Sequence, residues 1–299
     1  MVESLLKTGK HQVTSITRAD SKSEQPSGVQ AAKVNFDDHS ELVSALKGHD
    51  ALIITLAATA PAEQQERLIR AAADAGIKWV LPNEWGLDTQ DVEFGKKSLV
   101  GTPKQKIYEL FKSLGGKSDF IAVCTGFWYE WSLAIDLAFG FNFEKKTVTF
   151  FGDGDVKINS STWPQVGRAV AALLSLPITA EGDEPSLEKY KNKHVYVSSF
   201  LISQKDIFES VLRVTETKPE DWTITHEDCQ ERYDAALEQM KTGDKYGFGK
   251  AMYTSVFFPD GKGNTEKRYG LLNEVLGLPK EDMDEATKAA IERSKVFKW

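Results

Sequence analysis

Five short apolar runs set the terms for this chain: "HQVTSIT" (11–17), "AAKVNF" (31–36), "ALIITLA" (51–57), "KWVLPN" (78–83) and "DFIAVCT" (119–125). Helical patterns separate the later ones, at 40–47, 62–75 and 103–115. Strands that are apolar on both faces and alternate with helices belong to a parallel sheet covered on both sides. "KGHD" (47–50), "AGIK" (75–78) and "GGKSD" (115–119) punctuate the units as turns. The expected architecture is α/β, a doubly wound parallel sheet.

Beyond residue 146 the pattern changes. A short strand and turn, "TVTFFGDG" (147–154), precede a helix near 163–175. "HVYVSSF" (194–200), a helix from Ser203 and "DWTITHED" (221–228) follow, and the rest reads as helical and charged. The glycine-rich "FGDGD" (151–155) reads as a hairpin turn, its carboxylates as turn formers. With no Pro/Gly/Ser-rich linker, the expected division is a main domain at 1–150 and a smaller α+β lobe at 151–299. At 299 residues and 41% hydrophobic content the chain can bury a large core.

Charge and composition narrow the function. A net charge of −7 argues against a nucleic-acid partner, whose binders carry a basic face. No apolar run reaches the ~20 residues that span a bilayer, and no signal peptide is visible. Cys124 and Cys229 have no metal spacing, and the five histidines include no pair at i, i+3 or i+4, so no metal site is expected. Cys124 reads as a buried free thiol. These features together suggest a soluble, cytoplasmic protein.

"VESLLKTGKHQVTSIT" (2–17) reads as the end of a helix, closed at Gly9, followed by a strand. In a dinucleotide fold the first strand enters the first helix through a glycine-rich loop whose amides hold a pyrophosphate. No G-x-G-x-x-G or G-x-x-G-x-x-G stands near the start. The expectation is a sheet without that loop and without its first strand, which leaves strand edges open.

Three stretches carry candidate chemistry. "WVLPNEWGLDT" (79–89) ends a buried strand and turns at Pro82 and Gly86, placing Asn83, Glu84 and Trp85 at the carboxyl edge of the sheet, where ligands bind in open α/β folds. It also reads as a plain polar turn. "GTPKQKIYELFKS" (101–113) opens a helix with Thr102 at the N-cap, Pro103 at the first position and Gln105 closing a capping box. Lys104 and Lys106 then fall in its first turn, where the dipole disfavours a cation, a setting for proton transfer or for ordinary solvated lysines. Arg18 follows the second-strand candidate, where arginine accommodates the 2′-phosphate of NADP, with Lys22 close by; a solvated loop arginine is the plainer reading.

In combination these segments resemble the NmrA-like and isoflavone reductase-like branch of the short-chain dehydrogenases. "SITRADS", "FDDHSELVSALKGHDALIIT", "VLPNEWG", "KQKIYELF", "TVTFFGDGD" and "NKHVYVSSFLISQKDIFESVL" occur in the family's order, to residue 214. The resemblance implies a Rossmann NADP(H)-binding domain, a substrate lobe, hydride from NADPH and a proton from a lysine after the "P-x-E-x-G" turn. Lys104 matches that lysine and Lys106 is the runner-up. Arg18 would meet the 2′-phosphate, with Asn35 and Phe36 at the adenine. Leu56, Ala57, Ala58, Pro82 and Asn83 would line the ribose and nicotinamide side, and Gly126 and Phe127 the nicotinamide. Glu84, Trp85, Trp128, Tyr129 and Trp131 would shape an aromatic substrate pocket; the aromatics also read as packing between lobe and sheet. Asn83, Trp85 and Gly126 depart from the serine, phenylalanine and asparagine usual in plant reductases of the branch, and fit fungal NmrA-like proteins better.

Two functions follow as expectations. One is an NADPH-dependent reductase of a small aromatic or conjugated substrate; the other is a non-catalytic NADP(H) sensor with a protein partner. An inactive truncated isoform is a third. A first-turn lysine favours the enzyme, since a sensor has no use for one.

Overall fold

The structure, a computed structural model, describes residues 1–57 and 60–296. In chain order its first half runs α1 (Val2–Lys7), β1 (Val13–Arg18), β2 (Val29–Val34), α2 (His39–Leu46), β3 (Ala51–Ile53), α3 (Ala62–Ala75), β4 (Trp79–Leu81), α4 (Val92–Lys97), α5 (Gly101–Ser113), β5 (Asp119–Cys124) and β6 (Phe127–Trp128). Then come α6 (Tyr129–Ser132), α7 (Asp136–Phe139), β7 (Phe141–Asn142), β8 (Thr147–Phe151), β9 (Ile158–Ser161), α8 (Trp163–Leu174), α9 (Leu187–Tyr190), β10 (Lys193–Tyr196), β11 (Phe200–Ile202) and α10 (Gln204–Thr215). The chain closes with β12 (Thr223–Glu227), α11 (Cys229–Lys241), α12 (Lys245–Thr254), α13 (Thr265–Tyr269) and α14 (Met283–Val296).

Local signals account for many of the boundaries. Asp38 caps α2 by accepting from the amides of Ser40 and Glu41, and α3 ends where Gly76 takes a left-handed φ of +83°. Ser203 and Asp206 form a reciprocal capping box on α10. The six-residue α1 is too short to be helical alone. Packing against α8 holds it, where Gly167 leaves room for Ser4 and Met1 that a Cβ would fill.

The parallel pairs expected of the first half are present, in two separate sheets. β1 and β2 form a parallel pair, and β10–β5–β4–β3 form a parallel four-stranded sheet to which the second half contributes β10. Two mixed three-stranded sheets, β11–β9–β6 and β12–β8–β7, build the rest. Aliphatic clusters flank the four-stranded sheet, and an aromatic-rich cluster around Tyr129, Phe139, Phe151 and Phe257 fills the second half.

Several boundaries differ from expectation. The run 51–57 is strand only to Ile53, because the Leu56 backbone is held by the Asn83 side chain and not by a ladder. β4 stops at Leu81 because Pro82 has no amide to donate and the Glu84 amide turns back to Pro82 O at 2.7 Å. "FGDGD" is not a hairpin turn: β8 pairs with β7 and β12 while β9 belongs to another sheet. Run 194–200 breaks into β10 and β11, the Ser198 amide bonding to Asn273 Oδ1 between them. Thr102 is not the N-cap of α5; the helix starts at Gly101 with Val100 in the cap position and no side-chain cap bond. There α4 and α5 meet backbone to backbone, a Cβ on Gly95 falling 2.9 Å from Gly101 Cα. Gln105 closes no capping box and donates to Thr89 O at 2.6 Å.

Candidate active site at the carboxyl ends of β3, β4 and β5

The chain leaves β4 through Pro82 in a turn so tight that Trp85 takes a φ of +31°. Such a conformation in a non-glycine residue costs about 1–3 kcal/mol and persists only where the surroundings hold it. Here the indole is buried and its Nε1 donates to Ile54 O at 2.7 Å, tying the turn to the end of β3. The Asn83 amide side chain clamps Leu56, donating to its carbonyl and accepting from its amide, both at 3.2 Å. Asn83 N–H donates to Gln65 Oε1 at 2.7 Å. From β5, the amides of Thr125 and Gly126 both donate to Gly86 O. Gly126 has a φ of +64° and lies so close to Asn159 O that no Cβ fits. Three strand ends are thus cross-tied into one edge.

Glu84 is 5% exposed and is the hub of that edge. Lys104 Nζ, one turn into α5, donates to Glu84 Oε2 at 2.9 Å and to Glu84 O at 3.0 Å. Tyr108, four residues on and on the same helical face, donates to Glu84 Oε1 at 2.6 Å. Thr89 donates to Glu84 Oε2 at 3.0 Å and lies 2.9 Å from the Tyr108 hydroxyl. His194 Nε2 on β10 lies 2.8 Å from the same hydroxyl. Burial, then the Glu84 charge, pushes the Tyr108 phenol far up, so it stays protonated and donates to the carboxylate. Burial lowers the His194 imidazole below its usual value, keeping it neutral near pH 7. Lys106 is exposed on the other side of α5, so Lys104 is the lysine at the edge.

A second polar cluster pins this edge to the second half. Asp88, 1% exposed, takes Tyr196 OH at 3.0 Å and Arg268 Nη1 at 3.3 Å. Asp91 takes Arg268 Nη2 at 2.6 Å and Lys262. Burial would raise the Asp91 carboxyl, but bonds from Lys262, the Phe94 amide and Arg268 hold it at about 2.

The remaining sites of the sequence reading divide clearly. Arg18 ends β1 with its side chain 73% exposed, 3.6 Å from Asp20. Lys22 is exposed in the loop that follows. Asn35 is exposed, its amide bonded to Glu41, and Phe36 is half-buried against the neighbouring core. Ala57 is exposed, and Ala58 lies outside the described residues. Pro82 is buried at the end of β4. Phe127 packs on Tyr253 with ring centroids 4.2 Å apart. Trp85 and Tyr129 are both buried: the first is packed among Leu81, Val123 and Val166, and the second has its hydroxyl 2.7 Å from Thr287 Oγ1.

Trp128 and Trp131 instead back Trp163, at centroid distances of 5.9 and 6.1 Å, and Arg293 lies 4.1 Å over the Trp163 ring. Trp163, Glu130, Arg168 and Arg293 line a cavity of about 810 Å³. Glu130 accepts from the Trp163 amide at 3.2 Å, and burial raises its carboxyl above the ordinary value. Sequence reasoning missed Tyr108, His194, Glu130 and Trp163. Tyr108 alone left a signal there, its i+4 spacing from Lys104.

Among the described residues no glycine-rich turn leads from a strand into a helix N-terminus at this edge, so no cradle for a pyrophosphate is assigned. Cys124 and Cys229 are both free and buried. No helix among the described residues is long and apolar enough to cross a membrane.

Residues 1–134 match the model of the NmrA-like family. The oxidoreductase aprR of Aspergillus flavus is 28% identical over 278 residues, 91% of this chain and 88% of that protein. The crystal structure of isoflavone reductase superposes with a TM-score of 0.73 at 19% identity, covering 96% of this chain and 93% of that one. AtPrR2 with NADP+ and (+)-pinoresinol also gives 0.73, at 18% identity and the same coverage. The resemblance to NmrA-like and isoflavone reductase-like proteins holds, and the fold is the Rossmann-type α/β fold of those reductases.

Proposed function

Starting from an NmrA-like N-terminal segment on a reductase fold, we propose that this protein is an NADP(H)-dependent oxidoreductase of a small aromatic or conjugated substrate. In this reading residues 1–150 carry the cofactor and 151–299 mainly the substrate. The observation that carries it is Lys104, an ammonium gripped by a buried glutamate at the strand ends. The name of the Aspergillus flavus relative and the NADP+ bound in AtPrR2 support the class.

NADPH supplies the hydride when bound; the chain's own residues do the rest. Arg18, exposed beside the equally exposed Asp20, meets the 2′-phosphate, with Asn35 and Phe36 beside the adenine. Leu56, Ala57, Pro82, Asn83, Gly126 and Phe127 present the cross-tied edge to the ribose and nicotinamide. Lys104 Nζ gives a proton to the substrate and recovers it through the Glu84–Tyr108–His194 chain of hydrogen bonds. Trp128 and Trp131 form the aromatic side of the substrate region, through Trp163. The residues fit the two ends of NADP(H); none is assigned to its pyrophosphate.

Calorimetric titration with NADPH, followed by NADPH consumption with conjugated aromatic carbonyl compounds, tests this. Binding with turnover supports the enzyme. Binding without turnover assigns the sensor reading, which one observation favours: Lys104 already spends two bonds on Glu84.

A further inference from the structure

The cavity of about 810 Å³ beside Trp163 has the size of a small-molecule site, and its walls divide into apolar surface and a few charges. Ala171 and Ala172 of α8, Leu276 and Leu278 of the segment leading to α14, and Ala289 of α14 itself supply the apolar part. Two guanidiniums line it, and they differ. Arg168 is committed: it pairs with Glu281 and donates from Nε to Gln165 Oε1 at 2.9 Å. Glu281 is fixed in turn by the hydroxyls of Thr162 and Ser199.

Arg293 is not committed. Its Nε is buried without an acceptor, and among the described residues no carboxylate lies within ion-pair distance of it. Its close contacts are ring faces, Trp163 at 4.1 Å and Trp131 at 6.0 Å. Rings attract the charge but accept no hydrogen bond in the guanidinium plane, so the fork of N–H donors stays unspent. Glu130, 7% exposed, is the acidic group that limits what can pair with that fork. One of its oxygens accepts from the Trp163 amide, and Arg293 attracts it from beyond ion-pair distance. A dianion such as a phosphomonoester would meet this carboxylate in the same space. A carboxylate ligand brings one delocalised charge and two coplanar oxygens that match the guanidinium.

We infer, resting on the reductase reading above, that this cavity takes the far end of the substrate and that the substrate is an aromatic monocarboxylate, its acid group paired with Arg293 and its ring against Trp163 and the apolar walls. Trp128 and Glu130 follow directly on Gly126 and Phe127, so a ligand held here points its other end at the residues proposed to meet the nicotinamide.

The probe is 2-naphthoate, with 2-naphthamide as its neutral counterpart and 2-naphthyl phosphate as the dianion. Each is titrated into the protein without NADPH, by calorimetry and by tryptophan fluorescence. The expected result is saturable one-to-one binding of the naphthoate, with the amide and the phosphate each at least about tenfold weaker. Arg293→Met should bring the acid down to the affinity of the amide, and Arg293→Lys should keep part of the preference, with thermal melts showing that each variant is folded. No saturable binding of the naphthoate, equal affinity for acid and amide in the unmodified protein, or an unchanged preference in folded Arg293→Met would each overturn the inference. Acid preference without NADPH consumption would sink the reductase reading and leave the acid site standing; NADPH consumption with no acid preference would do the reverse.

Discussion

Lys104 Nζ sits 2.9 Å from Glu84 Oε2 and 3.0 Å from the carbonyl oxygen of the same residue. One glutamate therefore fixes the lysine by its charge and by its backbone, and the backbone it uses is the strained turn before Trp85. The pair is asymmetric: the lysine side chain is 18% exposed and the glutamate 2%. The lysine faces out, and the carboxylate depends on it.

That dependence sets a stability prediction. Lys104→Met leaves the Glu84 carboxylate buried without a cation, and should destabilise the fold by about 3 kcal/mol, the lower end for broken buried pairs because Thr89 and Tyr108 still donate to it. Adding Glu84→Gln removes the charge and should recover part of the loss. Urea denaturation of the single and double variants measures both.

Gly126→Ala should be among the most damaging small substitutions. The methyl group would meet the Asn159 carbonyl at a φ of +64°. A loss of about 2 kcal/mol or more is expected, with weaker NADPH binding as the edge shifts. Gly261→Ala, at a φ of +71° but with open space around it, should be milder.

The pH dependence of stability has two windows. His194 has a lowered folded value, so between that value and 6.5 the unfolded chain binds the extra proton and stability falls as pH falls. His194→Gln should flatten this slope. Asp91 and Asp284 are both held at about 2, and their contribution, present above 3.8, is lost as pH falls toward 2. Asp284 is lowered first by its bond from Arg213, then by Ser210, and Asp284→Asn should weaken the acid-range transition. Thermal melts across pH 2–7 check each slope.

Arg18→Ala should weaken NADPH binding by about tenfold or more while leaving NADH little changed, since the side chain is 73% exposed and pairs only loosely, at 3.6 Å, with the exposed Asp20. Equal losses for both nucleotides would remove Arg18 from the 2′-phosphate.

How far the fold was legible follows from which forces speak locally. α3 at 62–75, the helix from Ser203 and the parallel pairs of the first half were readable because periodicity and apolar runs are local signals. The turn after β8 was misread because its strands pair with residues far away, at 141–142 and 223–227. The start of α5 was misread because the Gly95–Gly101 approach overrode a good capping sequence. At the site, Glu84 and Lys104 stood out in the sequence, but their pairing did not, nor did His194, which reaches Tyr108 only because β10 docks beside β5.

The most direct measurement is kcat for Lys104→Arg with saturating NADPH and a conjugated aromatic carbonyl substrate. Arginine keeps the charge that Glu84 requires but does not give up a proton near neutral pH. The account predicts a fall in kcat of about 10²–10⁴-fold with the Kd for NADPH unchanged. An unchanged kcat would contradict it and leave Lys104 as a structural partner of Glu84.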